Sequence, residues 1–339
     1  MGAGARALTA GRKAGMALWL GAALGVGAFA ALLVGPYPLA IGEALAILAG
    51  REGDGRAETV LLAIRLPRVA AALLVGAALA AAGACYQTLF RNPLVSPDIL
   101  GVSAGAGLGA VLGIFLALPV LAIQAMGFAG GLAAVALVGF VAAAVRVGDR
   151  TLILVLAGVV VGALAGAATS LLKVLADPYD QLPAITFWLL GSLAGVKTED
   201  ILPAAPAVLA GLVPLVLLRW RINVLALGDE EARALGVEAG RLRLFVIICA
   251  TLITASVVAV AGVVGWVGLV IPHIARMIVG PGFGQLLPAA ALLGAGYMLA
   301  VDTLARTISA VEVPLGILTA VVGAPFFLWL LGRGRRTWA

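Results

Sequence analysis

The sequence predicts an all-α, polytopic membrane protein of about ten transmembrane helices, and three observations carry that prediction. Of the 339 residues, 63% are hydrophobic and only 11% are charged, and the mean hydropathy is +1.17. Apolar runs of about 20 residues recur from end to end, each long enough to cross a bilayer. The runs do not alternate apolar with polar positions, which excludes a transmembrane barrel. The 45 glycines suit close helix–helix packing in lipid. The net charge of +6 comes from basic residues flanking the runs and argues for membrane anchoring, with no nucleic acid as partner. Cys85 and Cys249 both lie inside apolar runs and read as small packing residues, with no disulfide framework and no metal motif.

In chain order, the spans are expected at 16–34, 69–90, 99–118, 121–145, 152–176, 201–218, 244–260, a short irregular one within 262–279, 286–304 and 314–331. The first follows Arg6, Arg12 and Lys13, as a signal peptide would, but it is long enough to remain as a span. Pro93 and Pro97 break the chain between the second and third. Ser96 is then placed to cap the next helix, with Pro97 in its first position and Asp98 in its first turn. Gly101, Gly105 and Gly109 recur every four residues and make a smooth face for backbone contact; without a preceding strand they are no dinucleotide loop. Within 177–200, the apolar middle 183–193 is too short to span. It reads as a re-entrant or surface helix with Trp188 at the interface, either a gate or a passive cap. His273 is the only histidine and follows Pro272; it is expected to hydrogen-bond loop carbonyls.

Orientation follows from Lys and Arg. With the N-terminus in the cytoplasm, 15 of the 22 basic residues face inward and 7 outward, which puts both termini inside. Arg65 and Arg68, in RLPR, and Arg306 fall on the outer side against this rule. Either they snorkel to lipid phosphates or they pair with carboxylates of an external partner.

The segment 225–243, LALGDEEARALGVEAGRLR, is a charged island. It reads as two very short helices. Gly228 or Asp229 caps the first, and Asp229, Glu230 and Glu231 lie in its first turn, where the helix dipole favours acids. Arg233 follows, and Gly236 ends the helix as a C′ glycine. Glu238 and Arg241 are three apart on the second. Two turns do not stand alone in water, so the piece is docked on something. It is either an interfacial helix resting on head groups or a docking surface for a soluble partner.

Several blocks together resemble the FecCD-type permeases, the membrane subunits of ABC importers for iron–siderophores, haem and vitamin B12. They are RLPRVAAALLVGAALAAAGACYQ, RNPLVSPDILGVSAGAGLGA, LALGDEEARALGV, VGWVGLVIPHIARMIVG, LLPAAALLGAGYMLAVDTLAR and EVPLGILTAVVGAPFFLWLL, which cover most of the chain from Arg65 onward in the family's order. The resemblance implies a type II importer permease in a bacterial or archaeal cytoplasmic membrane, working as a homodimer. It implies two cytoplasmic ATP-binding subunits below and a periplasmic or lipid-anchored binding protein above. It assigns ATPase coupling to Leu227, Gly228, Asp229, Glu230, Glu231, Arg233, Leu235 and Gly236, within a single permease domain, and binding-protein docking to Arg65, Arg68 and Arg306. Asp302 falls in the family's DTLAR block and reads as structural. No cofactor is expected in this chain: ATP and Mg belong to the partner subunit, and no G-x-x-x-x-G-K-[ST] occurs here. The favoured cargo is an iron(III)–siderophore, with haem or cobalamin as alternatives. An ion-coupled secondary transporter would need intramembrane charges and similar halves, and a membrane enzyme would need a His/Asp/Glu cluster. The sequence offers neither set.

Overall fold

The structure, a computed structural model, describes residues 3–51, 54–145 and 150–333. Its helices are α1 (Ala3–Leu33), α2 (Ile41–Leu48), α3 (Gly55–Glu58), a π-helical stretch (Thr59–Arg65), α4 (Leu66–Leu89), a 3-10 turn (Pro97–Leu100), α5 (Val102–Phe115), α6 (Val120–Ala144), α7 (Arg150–Leu175), α8 (Gln181–Leu190), α9 (Thr198–Leu217), α10 (Arg219–Leu225), α11 (Asp229–Ala234), α12 (Ala239–Ala261), α13 (Val267–Val279), α14 (Phe283–Ala305) and α15 (Leu315–Arg333). No strand occurs among the described residues. Arg146 and the basic tail at 334–339 lie outside them.

Each of the ten expected spans coincides with a helix. Among the described residues, six helices are long and apolar enough to cross a membrane: Gly55–Leu89, Val120–Ala144, Thr151–Leu175, Thr198–Leu217, Ala239–Ala261 and Phe283–Ala305. The segments Leu18–Leu33, Val102–Phe115, Val267–Val279 and Leu315–Leu330 are apolar but shorter. The second span starts earlier than the apolar run suggests, because α3, the π-helical stretch and α4 form one rod. Proline has no N–H to give to a helix. The wider π-helical turn just before Pro67 absorbs that loss without breaking the rod.

Helix α4 is the axis of the fold, packed by α12, α13 and α14 and buried along most of its length. Its small residues make this possible. A Cβ at Gly76 would lie 2.1 Å from the Gly294 carbonyl oxygen, and one at Gly294 would lie 2.2 Å from that of Gly76. At such a crossing the backbones touch. Gly105 and Gly109 do the same for α5 on α6, as their spacing predicts. Gly101 differs: it adopts a left-handed φ of 75° and ends the 3-10 turn. Ser96 makes no capping bond; the carboxylate of Asp98 turns inward instead and accepts from Ser103 Oγ. Cys85 and Cys249 are free and buried. Helices α6, α7 and α9 lie at the periphery and bury one face each.

Helix α8 does not span. Ile185 is fully buried, and Gln181 Nε2 donates to the Phe115 carbonyl at 2.9 Å, so α8 is fastened over the end of α5. After it, three non-helical strips meet: Ser192 N–H donates to Ala261 O, and Leu315 N–H to Gly191 O, both at 2.9 Å. The ends of α12 and α15 thus satisfy the backbone of the non-helical strip after α8.

Candidate functional site

Two charged clusters stand out, one at each end of the helices.

The first is built on the RLPR motif. Arg68 lies in the first turn of α4. Its Nε donates to Asp302 Oδ1 at 2.8 Å, while Nη1 and Nη2 donate to Glu312 Oε2 and Oε1, both at 2.8 Å. One planar guanidinium thus holds two carboxylates, the geometry at which arginine is strongest. Glu312 also accepts from Ser192 Oγ at 3.2 Å, tying in the strip after α8. Arg306, one turn beyond Asp302 on α14, stands 3.7 Å from it.

Arg65 and Arg306 perform a second task together. Arg65 donates from Nη1 to Leu32 O at 2.8 Å and Leu33 O at 2.9 Å, and from Nη2 to Tyr37 O. Arg306 donates to Val34 O at 2.7 Å and to Ala31 O. The last carbonyls of α1 have no partner within their helix and carry the negative end of its dipole. Two arginines satisfy them. This differs from the expectation of outward-facing arginines: Arg65, Arg68 and Arg306 are 3%, 7% and 9% exposed. Buried cations need partners within the fold, and α1, Asp302 and Glu312 supply them. Asp302 is structural in this arrangement, buried completely.

The second cluster is the charged island. Gly228 is the N-cap of α11, and its φ of 136° suits glycine. Helix α11 is closed by a Schellman motif: Gly236, at φ 76°, donates to Arg233 O, and Val237 donates to Ala232 O at 2.8 Å. Val237 and Ala232 are both buried, which docks the helix on its neighbours. Arg243 clasps Asp229 through Nη2–Oδ1 at 2.7 Å and Nη1–Oδ2 at 3.3 Å. That hydrogen bond, with the charges of Arg243, Arg91 and Arg233, holds the Asp229 carboxyl below its ordinary range, against a smaller opposing effect of burial. Leu227, Glu230, Glu231, Arg233, Leu235 and Gly236 remain exposed. The backbone is pinned while this one face stays free.

The expected second short helix is absent as a separate piece. Glu238 is the N-cap of the long α12, and the Glu238–Arg241 pair, at 2.8 Å, lies on its exposed first turn. The apolar run continues the helix, so nothing stops it. A short helix that was not expected, α10, precedes the island, where Arg219, Trp220 and Arg221 hid it among polar signals. His273 does not bond loop carbonyls through Nδ1, which is buried without a partner; its ring sits edge-on to Phe326. Gln87 Nε2 donates to Leu269 O at 3.0 Å, in the first turn of α13. Glu312 was not singled out by sequence reasoning. Its signal was an acid at the entrance of the last span.

These features define a polytopic helical membrane protein with a rigid, charged short helix exposed on one face. Residues 23–333 match the model of the FecCD transport family, and the chain belongs to that family of ABC importer permeases. It is 45% identical over 277 residues to a probable iron chelatin transport system permease protein of Helicobacter pylori, covering 81% of this chain and 83% of that one. It is 41% identical over 313 residues to the molybdate import system permease protein MolB of Haemophilus influenzae, covering 89% and 91%. A solved structure described as an inward-facing conformation of a metal-chelate type ABC transporter superposes with a TM-score of 0.86 at 38% identity, over 94% of this chain and 99% of that one.

Proposed function

We propose that this permease carries an iron(III)–siderophore through the cytoplasmic membrane as a homodimer with two cytoplasmic ATP-binding subunits and a periplasmic or lipid-anchored binding protein. Both termini and α11 then face the cytoplasm, and ATP and Mg stay on the partner subunit. The observation that carries this reading is α11: a helix too short to stand alone, fixed by Gly236 and the Asp229–Arg243 pair, with Leu227, Glu230, Glu231, Arg233 and Leu235 exposed to receive another protein. Closure of the ATP-binding subunits pushes on this rigid piece, and α12, which starts two residues after Val237, takes up the motion.

On the opposite face, Glu312 marks the rim of the arginine cluster, with its side chain 21% exposed. A carboxylate of the binding protein replaces Glu312 on Arg68 with the same two-pronged geometry. Arg65 and Arg306 hold α1 beneath that contact.

The iron chelate is preferred because the 45% identical relative is named for one. A second reading, an oxyanion importer, is favoured by the longer alignment with the molybdate permease. The deciding experiment is ATPase activity of the permease co-purified with its ATP-binding subunit in lipid. The binding protein is added loaded in turn with ferric siderophore, haem, cobalamin and molybdate. Stimulation by the ferric siderophore alone supports the reading; stimulation by another cargo replaces it, and failure to bind any ATP-binding subunit rejects the importer assembly.

A further inference from the structure

The face that carries α11 also holds a cavity of about 470 Å³ that the coupling scheme does not use. It lies between α10 and the turn joining α13 to α14. Arg219, Trp220, Asn223 and Gln285 line it, with small or apolar residues of that turn, and no carboxylate does. The Oδ1 of Asn223 is engaged, since it accepts the Phe283 N–H at 3.1 Å at the start of α14. The stem of Arg219 lies along Gly284: a Cβ there would be in ordinary contact, 3.6 Å from Arg219 Cδ. Among the described residues, neither Arg219 nor its neighbour Arg221 has a hydrogen-bond or ion-pair partner, and both are exposed. Trp220 is 63% exposed between them.

We propose that this cavity binds the phosphate headgroup of one anionic phospholipid. The chemistry fits at each point. Unpaired guanidinium is the side chain best matched to a phosphate. An exposed tryptophan next to it sits where aromatic rings sit in membranes, at the level of the headgroups. Basic pockets beside helix ends on the cytoplasmic side hold acidic headgroups by the same charge complementarity. The apolar turn at Val279 and Pro281 offers the glycerol and upper acyl region a surface that a protein acid would not need. Assignment to the cytoplasmic leaflet rests on the orientation proposed above; the binding itself does not.

The test is native mass spectrometry of the full chain in detergent with equimolar phosphatidylglycerol and phosphatidylcholine. One phosphatidylglycerol per chain should be retained in preference to phosphatidylcholine. Arg219→Gln should lower that retention about five-fold, as the loss of one basic residue near an acidic headgroup does. Arg219→Lys should keep most of it. Arg241→Gln removes another exposed cation of the same face away from the cavity, and should change nothing. Equal retention of both lipids by the wild type, or an equal drop in Arg241→Gln, overturns the proposal. So does complete displacement by excess inorganic phosphate, which would make this a free-anion site. Unaltered lipid binding in Arg219→Gln with loss of the co-purified ATP-binding subunit would assign the surface to that protein instead. ATPase coupling through α11 is read separately, so failure here leaves the importer reading standing.

Discussion

Arg68 and Glu312 meet through two parallel hydrogen bonds of 2.8 Å, which fasten the first turn of α4 to the segment entering α15. The pair is largely desolvated, so removing one partner strands the other. Arg68→Ala should lower the unfolding free energy in detergent by about 3–5 kcal/mol, as breaking buried pairs does. Glu312→Gln keeps the shape and should cost less. A thermal-denaturation cycle of the two single variants and the double variant reads the coupling, and additive effects would show that the pair is incidental.

Arg65 serves carbonyls, not carboxylates. Arg65→Met fills similar space but leaves the acceptors of Leu32 and Leu33 without donors. Each such buried group costs about 1–3 kcal/mol. The end of α1 should therefore loosen while the rest of the bundle holds, seen as faster hydrogen exchange at 28–37 with little change elsewhere. Global unfolding would mean that α1 is a keystone and not a strap.

The exposed face of α11 separates coupling from folding. Replacing Glu230, Glu231 and Arg233 together by alanine should leave the melting temperature nearly unchanged, since surface substitutions fall within about 0.5 kcal/mol. Transport per ATP hydrolysed should fall at least about ten-fold, which corresponds to about 1.4 kcal/mol of lost coupling. Wild-type coupling in the triple variant would remove α11 from the power stroke.

The Asp229–Arg243 clasp has a defined pH dependence. Its folded-state carboxyl titrates below the ordinary value of 3.8. The stabilisation is therefore complete above that value and is lost as pH falls through the lower folded value. Exchange protection of α11 should be flat from neutrality down to about pH 5 and then decline. Asp229→Asn should show the unclasped level throughout. The exposure of the pair keeps its worth to about 1 kcal/mol at most.

Backbone contact between α4 and α14 makes a steric prediction. Gly76→Val places carbon against the Gly294 carbonyl and should cost at least about 1–3 kcal/mol by overpacking. Gly139→Ala, where nothing lies within 4 Å, should be neutral or stabilise by about 1 kcal/mol. Both are read by thermal shift in one detergent.

The helices were legible because composition decides them: about twenty apolar residues in a row have few alternatives. Gly236 and Gly105 were legible too, since a C′ turn and a close helix contact each leave a local mark. The destination of an arginine leaves none. Arg65, Arg68 and Arg306 were visible as exceptions to the charge rule, but whether a guanidinium turns outward or inward depends on what meets it, and its partners lie at Leu32, Asp302 and Glu312. The start of α12 directly after Glu238 was missed for a similar reason. A charged first turn looks like a loop until the helix beyond it is seen.

The pairing of Arg68 with Asp302 spans 234 residues of chain. A ribosome feeding this protein into the membrane releases the cation early and its counter-ion near the end. Throughout that interval Arg68 lacks both Asp302 and Glu312, the two carboxylates that hold it in the folded chain. Products that stop before Asp302 keep the liability permanently. The cluster at Arg68 can therefore close only once the chain has been made as far as Asp302 and Glu312.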